Sequence, residues 1–169
     1  MDDPAADAPT IDDFGSALDR AGHTFAVAES LTGGSLSVRF AAAADSSSWY
    51  RGGVVAYSRA VKHRLLGVPM GPVVSETAAA AMAEGVCRVL DADVSLSVTG
   101  AGGPDPQDAQ PPGTVWMAVH DRTTRATHTR QVRFDGDPEQ VVEATCGNAV
   151  DWLLEHWTSE RSDVVNPAT

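Results

Sequence analysis

Lysine is almost missing from this chain of 169 residues: Lys62 stands alone against eleven arginines. Arginine keeps its proton near neutral pH, whereas a lysine can give its proton up, so the one side chain able to serve as an amine base stands out. Codon usage biased toward arginine would leave a stray lysine in the same way, and position has to decide between the two readings. Cysteine is scarce as well. Cys87 and Cys146 each fall in a stretch that reads as helix, which suits buried small apolar residues better than a bridge or a metal pair. No CxxC or HExxH spacing occurs, so neither a metal site nor a cofactor is expected.

Long hydrophobic runs are absent too, since none approaches the roughly 18 residues that would span a membrane. The start, Met1-Asp-Asp-Pro-Ala-Ala-Asp, has neither the basic opening nor the apolar centre of a signal peptide. A cytoplasmic protein without a membrane partner is expected. Positive charge is in short supply: 12 Lys and Arg face 23 Asp and Glu, a net charge of −11. Affinity for nucleic acid comes largely from displaced counterions, so this balance disfavours a nucleic-acid partner. The same excess of acid suits a protein working in high salt, where screening tames self-repulsion.

What is present is the composition of a soluble globular protein, 43% hydrophobic and 21% charged, at the length of one domain. Residues 1–9 and 159–169 have little to bury and read as loose tails flanking a domain over 10–158. Thr10-Ile-Asp-Asp13 resembles a capped start for a helix that places Phe14, Leu18 and Ala21 on one face and ends at Gly22. Helices are also expected over 33–44, 58–66 and 75–90, and from Asp137-Pro-Glu-Gln140 to about Trp157. Strands are expected over 24–28, 52–57, 94–98, 115–119 and 127–134, the last two joined as an antiparallel hairpin by the short polar link at 121–125. Strand alternates with helix until that hairpin, which implies an α/β fold: a three-layer α/β/α sandwich around a mixed, mainly parallel five-stranded sheet.

Ligands in such folds gather at the carboxyl ends of the strands. Three loops leave such ends: Ala28-Glu-Ser-Leu-Thr-Gly-Gly34, Tyr57-Ser-Arg-Ala-Val-Lys62 and Thr99-Gly-Ala-Gly-Gly-Pro104. Neighbouring strands would bring them to one pocket. Ser30 sits where a strand turns into a helix, with Thr32, Gly33 and Gly34 letting backbone N–H groups point outward to an oxyanion or phosphate. It is a candidate nucleophile; taken alone, a helix-capping Ser30 or Thr32 accounts for the pattern as well. Lys62 lies one turn into its helix, where the macrodipole opposes its charge by about 0.3 to 1 kcal/mol. That is less than one pKa unit, so burial has to supply most of any shift toward a neutral amine. Tyr57 either donates a hydrogen bond to the base or packs as an ordinary aromatic.

His63 is the alternative base, but adjacent helical residues point about 100° apart, which assigns it to the surface if Lys62 faces the pocket. His23, His120, His128 and His156 have no evident partner in the sequence. Glu29 either orients a substrate group or is structural. Asp105 and Asp108 lack a metal-ligand spacing and read as solvated. Thr99, Gly100, Gly102 and Gly103 do not open a helix, which excludes a Rossmann or P-loop match, yet they suit close approach of a ligand.

In this order and spacing, Ala28-Glu-Ser-Leu-Thr-Gly-Gly34, Arg51-Gly-Gly-Val-Val-Ala-Tyr-Ser58, Lys62 with Leu66-Gly-Val68, Val74-Ser-Glu76, Val98-Thr-Gly100, Gly103-Pro-Asp105 and Pro112-Gly-Thr-Val115 resemble the C-terminal domain of the competence/damage-inducible protein CinA. That domain also occurs as a stand-alone nicotinamide-nucleotide amidohydrolase. The resemblance covers about residues 10–157. It implies the α/β/α fold and hydrolysis of nicotinamide mononucleotide to nicotinate mononucleotide and ammonia. It also implies a serine and lysine mechanism with a nearby tyrosine, which map onto Ser30, Lys62 and Tyr57. The expected partner is then a small pyridine nucleotide, its phosphate held by a glycine loop and by Arg59 or Arg51. A ligand-binding paralogue without turnover is the competing expectation, and a homo-oligomer is compatible with either.

Overall fold

The computed structural model describes residues 8–165, with side chains up to residue 157. Five strands, β1 (Phe25–Glu29), β2 (Tyr50–Val55), β3 (Val94–Gly100), β4 (Thr114–Asp121) and β5 (Ala126–Arg133), form one sheet in the order β2-β1-β3-β4-β5. β1 runs parallel to both β2 and β3, while β4 is antiparallel to β3 and to β5. β4 alone therefore points against the rest, and the mixed, mainly parallel sheet expected from the sequence is present.

Alternation along the central strands sorts two different cores. Phe25 and Val27 of β1, with Val94, Leu96 and Val98 of β3, face a layer made by α1 (Ile11–Ala21), α2 (Ser35–Ala41), α3 (Ser46–Trp49) and α6 (Pro138–Val165). Large rings fill it: Phe14 meets Phe25 edge to face at 5.1 Å, and Phe40 lies 4.7 Å from Phe25. Ala26 and Ala28 face the opposite layer, α4 (Arg59–Leu66) and α5 (Glu76–Leu90). There β3 presents hydroxyls, and Ser95 and Ser97 donate to the carbonyls of Ala83 and Ala79 at 2.7 and 2.6 Å. Small residues on both sides let the alanine-rich α5 lie close on the sheet while the buried hydroxyls stay bonded.

Local chemistry sets the helix ends. Thr10 and Asp13 form a reciprocal capping box and Gly22 closes α1 in the left-handed conformation. Ser58 caps α4 by accepting from the Val61 N–H. Gly85 admits α4 to α5: a Cβ there would lie 2.1 Å from the carbonyl oxygen of Leu66.

Several boundaries differ from expectation. α2 starts at Ser35 rather than residue 33, because residues 30–34 form the turn that carries the site, and α3 was not anticipated. β2 spans residues 50–55, which leaves Ala56 and Tyr57 in the connection to α4. α6 continues to Val165 rather than stopping near Trp157, so most of the stretch expected as a loose tail at 159–169 is helical backbone. Residues 1–7 and 166–169, the remainder of the expected tails, lie outside the described residues. No described helix is long and apolar enough to cross a membrane.

Candidate active site

The adjacency of β2, β1 and β3 brings their carboxyl ends together, and the three loops converge as the sequence implied. At the end of β1 the carboxylate of Glu29 is fully buried. One oxygen accepts from the Thr32 hydroxyl at 2.7 Å and from the N–H groups of Gly34 and Leu36 at 3.0 and 3.1 Å. The other accepts from the N–H and hydroxyl of Ser37 at 2.9 and 2.6 Å. A carboxylate thus occupies the positive end of α2 and satisfies N–H groups that a helix start leaves over.

This corrects the expected ligand contacts of Glu29, Thr32, Gly33 and Gly34. Glu29 is an internal anchor, the Thr32 hydroxyl and Gly34 N–H are spent on it, and the Gly33 N–H donates to the Ser30 carbonyl at 3.1 Å. What they hold is the turn itself, with Ser30 at its head.

Lys62 reaches Ser30 from α4. Its side chain is 1% exposed, and its Nζ donates to the Ser30 Oγ at 2.9 Å, to the Ala56 carbonyl at 2.7 Å and to the Tyr57 carbonyl at 3.3 Å. Burial pushes the Lys62 pKa down to about 8, the Arg59 guanidinium lowers it further, and Asp108 opposes both. In the neutral amine two N–H bonds can go to the two carbonyls, which leaves the lone pair directed at the Ser30 hydroxyl. Burial is the leading cause, as the weakness of the helix dipole required.

The other expected residues take different places. Tyr57 contributes its backbone carbonyl to Lys62, while its side chain is 73% exposed at the mouth of a cleft, so the expected hydrogen bond from its hydroxyl to the base is not made. Arg59, expected to hold a phosphate, is paired with Asp108 and donates to the Gly71 carbonyl at 3.2 Å. Asp108 is not solvated: it also accepts from the N–H groups of Val73 and Val74 at 2.7 and 3.0 Å, fastening the loop at 101–113 to the start of α5. Thr99 is buried with its hydroxyl given to the Val73 carbonyl at 2.6 Å. His63 is half-buried against the Val68 carbonyl rather than surface-solvated, and His120 contacts the Thr127 hydroxyl at 2.9 Å.

Above Ser30 opens a cleft of about 360 Å³, within the range of small-molecule sites. Gly100, Gly102 and Gly103 line it, as expected of that loop, together with Ser30 and Tyr57. Leu31, Asp105, Pro106, Gln107, Pro138 and Val142 complete the wall, and of these Leu31, Pro106 and Gln107 were missed as site residues. For Pro106 and Gln107 the neighbouring glycine loop was the available signal. Pro138 and Val142 open a helix more than a hundred residues from Ser30, and only the return of α6 across the sheet brings them there. Among the described residues no group of three or more His, Cys, Asp or Glu is arranged to hold a metal ion.

An α/β/α sandwich that buries a hydroxyl against a lone amine at the carboxyl ends of parallel strands, beneath an open cleft, is an α/β domain with a serine and lysine pair. The chain belongs to the CinA C-terminal domain family, whose model matches residues 8–157. A CinA-like protein of Geobacter sulfurreducens is 40% identical over 78% of this chain and 33% of its own length. One from Mycobacterium sp. (strain JLS) is 43% identical over 87% of this chain and 36% of its own. The chain thus spans about a third of the length of these relatives. Among solved structures, the competence-damaged protein (CinA) superfamily protein from Enterobacter cloacae superposes with a TM-score of 0.81 at 32% identity, covering 92% of this chain and 98% of that one.

Proposed function

We propose that the chain hydrolyses the carboxamide of nicotinamide mononucleotide to nicotinate mononucleotide and ammonia, with Ser30 as nucleophile and Lys62 as base. The observation that carries this reading is the 2.9 Å contact between the Ser30 Oγ and the buried Lys62 Nζ, with that nitrogen aimed by two backbone carbonyls. Neutral Lys62 takes the Ser30 proton as the oxygen attacks the amide carbon. The tetrahedral oxyanion needs donors, and the backbone N–H groups of Leu31 and Gly102, which have no partner among the described residues, stand beside the nucleophile. Collapse breaks the C–N bond, and Lys62 returns its proton to the departing nitrogen, which leaves as ammonia. Water then enters, gives a proton to Lys62 and attacks the acyl carbon. Release of nicotinate mononucleotide sends that proton back to Ser30.

Ammonia release from nicotinamide mononucleotide by wild type, Ser30→Ala and Lys62→Met tests the assignment. Turnover by wild type with a loss of about 10³-fold or more in each variant is expected, since members of such a unit fail together. Binding of the mononucleotide without ammonia release would instead identify a ligand-binding member of the family.

A further inference from the structure

Asp105 is the acidic side chain in the wall of the cleft, and the rest of that wall carries no Lys, Arg or His among the described residues. Leu31, Pro138 and Val142 are apolar, and Gln107 offers an amide. Two nearby arginines are committed elsewhere: Arg59 to Asp108 and the Gly71 carbonyl, and Arg39 to Glu143, the neighbour of Val142 on α6. The first turn of α6 is closed on itself as well. Asp137 accepts from the Gln140 N–H at 2.9 Å while the Gln140 side chain accepts from the Asp137 N–H at 2.9 Å. A phosphate brought here finds no side-chain cation, yet a cation finds two partners. Besides the Asp105 carboxylate, the largely exposed ring of Tyr57 stands at the mouth, and an aromatic face attracts positive charge.

We infer that the cleft recognises its amide substrate as a flat aromatic cation, with Tyr57 as stacking face and Asp105 as counter-charge, and that a phosphate contributes nothing to recognition. The inference rests on the amide hydrolysis proposed above and narrows its substrate class to pyridinium carboxamides, the unphosphorylated nucleoside included. In nicotinamide mononucleotide the positive charge is on the ring that carries the reacting carboxamide, so Asp105 and Tyr57 act close to the bond that breaks. The phosphate sits at the far end of the ribose and meets a protein of net charge −11. Nicotinamide riboside, which keeps the cation and loses the phosphate, is therefore hydrolysed at least as efficiently as the mononucleotide.

The test measures ammonia release from nicotinamide riboside and from nicotinamide mononucleotide by wild type, Asp105→Asn, Val142→Arg and Tyr57→Leu, each as the full chain. The ratio of the two kcat/KM values on one preparation cancels any loss of folded protein. In wild type the ratio of riboside to mononucleotide is expected at one or above. Asp105→Asn raises KM for both compounds about two- to fivefold, the range of an exposed charge pair, Tyr57→Leu raises KM for both as well, and Val142→Arg lowers the ratio by supplying a cation to the phosphate. A wild-type preference for the mononucleotide, or an unaltered KM in Asp105→Asn or in Tyr57→Leu, would overturn the inference and leave the amidase standing. If neither compound releases ammonia, the hydrolase reading fails by itself, and calorimetric titration of the same pair decides the inference. Riboside bound at least as tightly as mononucleotide upholds it; tighter mononucleotide, or binding of neither, overturns it.

Discussion

At the scale of single residues the site turns on the proton of Lys62. With its pKa lowered to about 8, the amine is neutral in about a tenth of molecules at pH 7 and in most above pH 9. Activity that needs the neutral amine therefore climbs with pH through about 8, and kcat/KM should trace that limb. Arg59 is placed to tune it. Its charge favours loss of the Lys62 proton, and it also neutralises Asp108, whose carboxylate acts the other way. Arg59→Gln removes the first effect and uncovers the second, so both move the limb to higher pH and cut activity at pH 7. A pH profile of the variant superimposable on wild type would show that Arg59 acts only as a structural tie. The lone lysine stood out in the sequence because no other side-chain amine competes with it, and the structure sets it against Ser30. The side-chain roles of Tyr57 and Arg59 were not legible, since a sequence does not reveal that Tyr57 offers its carbonyl and turns its ring outward.

Elements explain why Ser30 and Lys62 meet at all. Ser30 is held by Glu29, which ties the turn to α2, and Lys62 is held by α4 lying hard against α5. The α4 contact depends on one missing methyl group. A Cβ at Gly85 would press on the Leu66 carbonyl at 2.1 Å, a backbone atom that cannot rotate away. Gly85→Ala should push α4 away from α5, costing about 1 to 3 kcal/mol as overpacking does, and it should lower kcat by displacing the Lys62 nitrogen from Ser30. A melting temperature and kcat both equal to wild type would mean that α4 tolerates the shift. Periodicity and caps made α1, α4, α5 and the hairpin readable, because their signals lie within a few residues of one another. The turn at 30–34 read as a helix start with free N–H groups; the Gly34 N–H is instead taken by the Glu29 carboxylate and the Gly33 N–H by the Ser30 carbonyl, a choice made by burial rather than by pattern. Pro138 and Val142 reach the cleft through the crossing of α6 over the sheet.

For the molecule as a whole, charge is the dominant unshared feature, with 23 acidic side chains against 12 basic ones. The basic groups are partly used in local pairs such as Arg122 with Asp91 and Asp93, and the excess of carboxylates over the whole chain is left unneutralised. At about 0.1 M salt the screening length is about 10 Å and neighbouring acids still repel; at about 1 M it falls to about 3 Å and the repulsion is largely gone. The unfolded chain spreads the same charge over a larger volume, so screening favours the compact state. The melting temperature should therefore rise by several degrees from low to molar sodium chloride, where 1 kcal/mol corresponds to about 2 to 4 °C for a chain of this size. Exposed ion pairs weaken under the same screening, but each contributes at most about 1 kcal/mol, too little to reverse the trend. The same field repels a phosphorylated substrate, so salt should raise kcat/KM for the mononucleotide more than for the riboside. A melting temperature that falls with salt would show that the local pairs, rather than the net charge, govern the electrostatics of this fold.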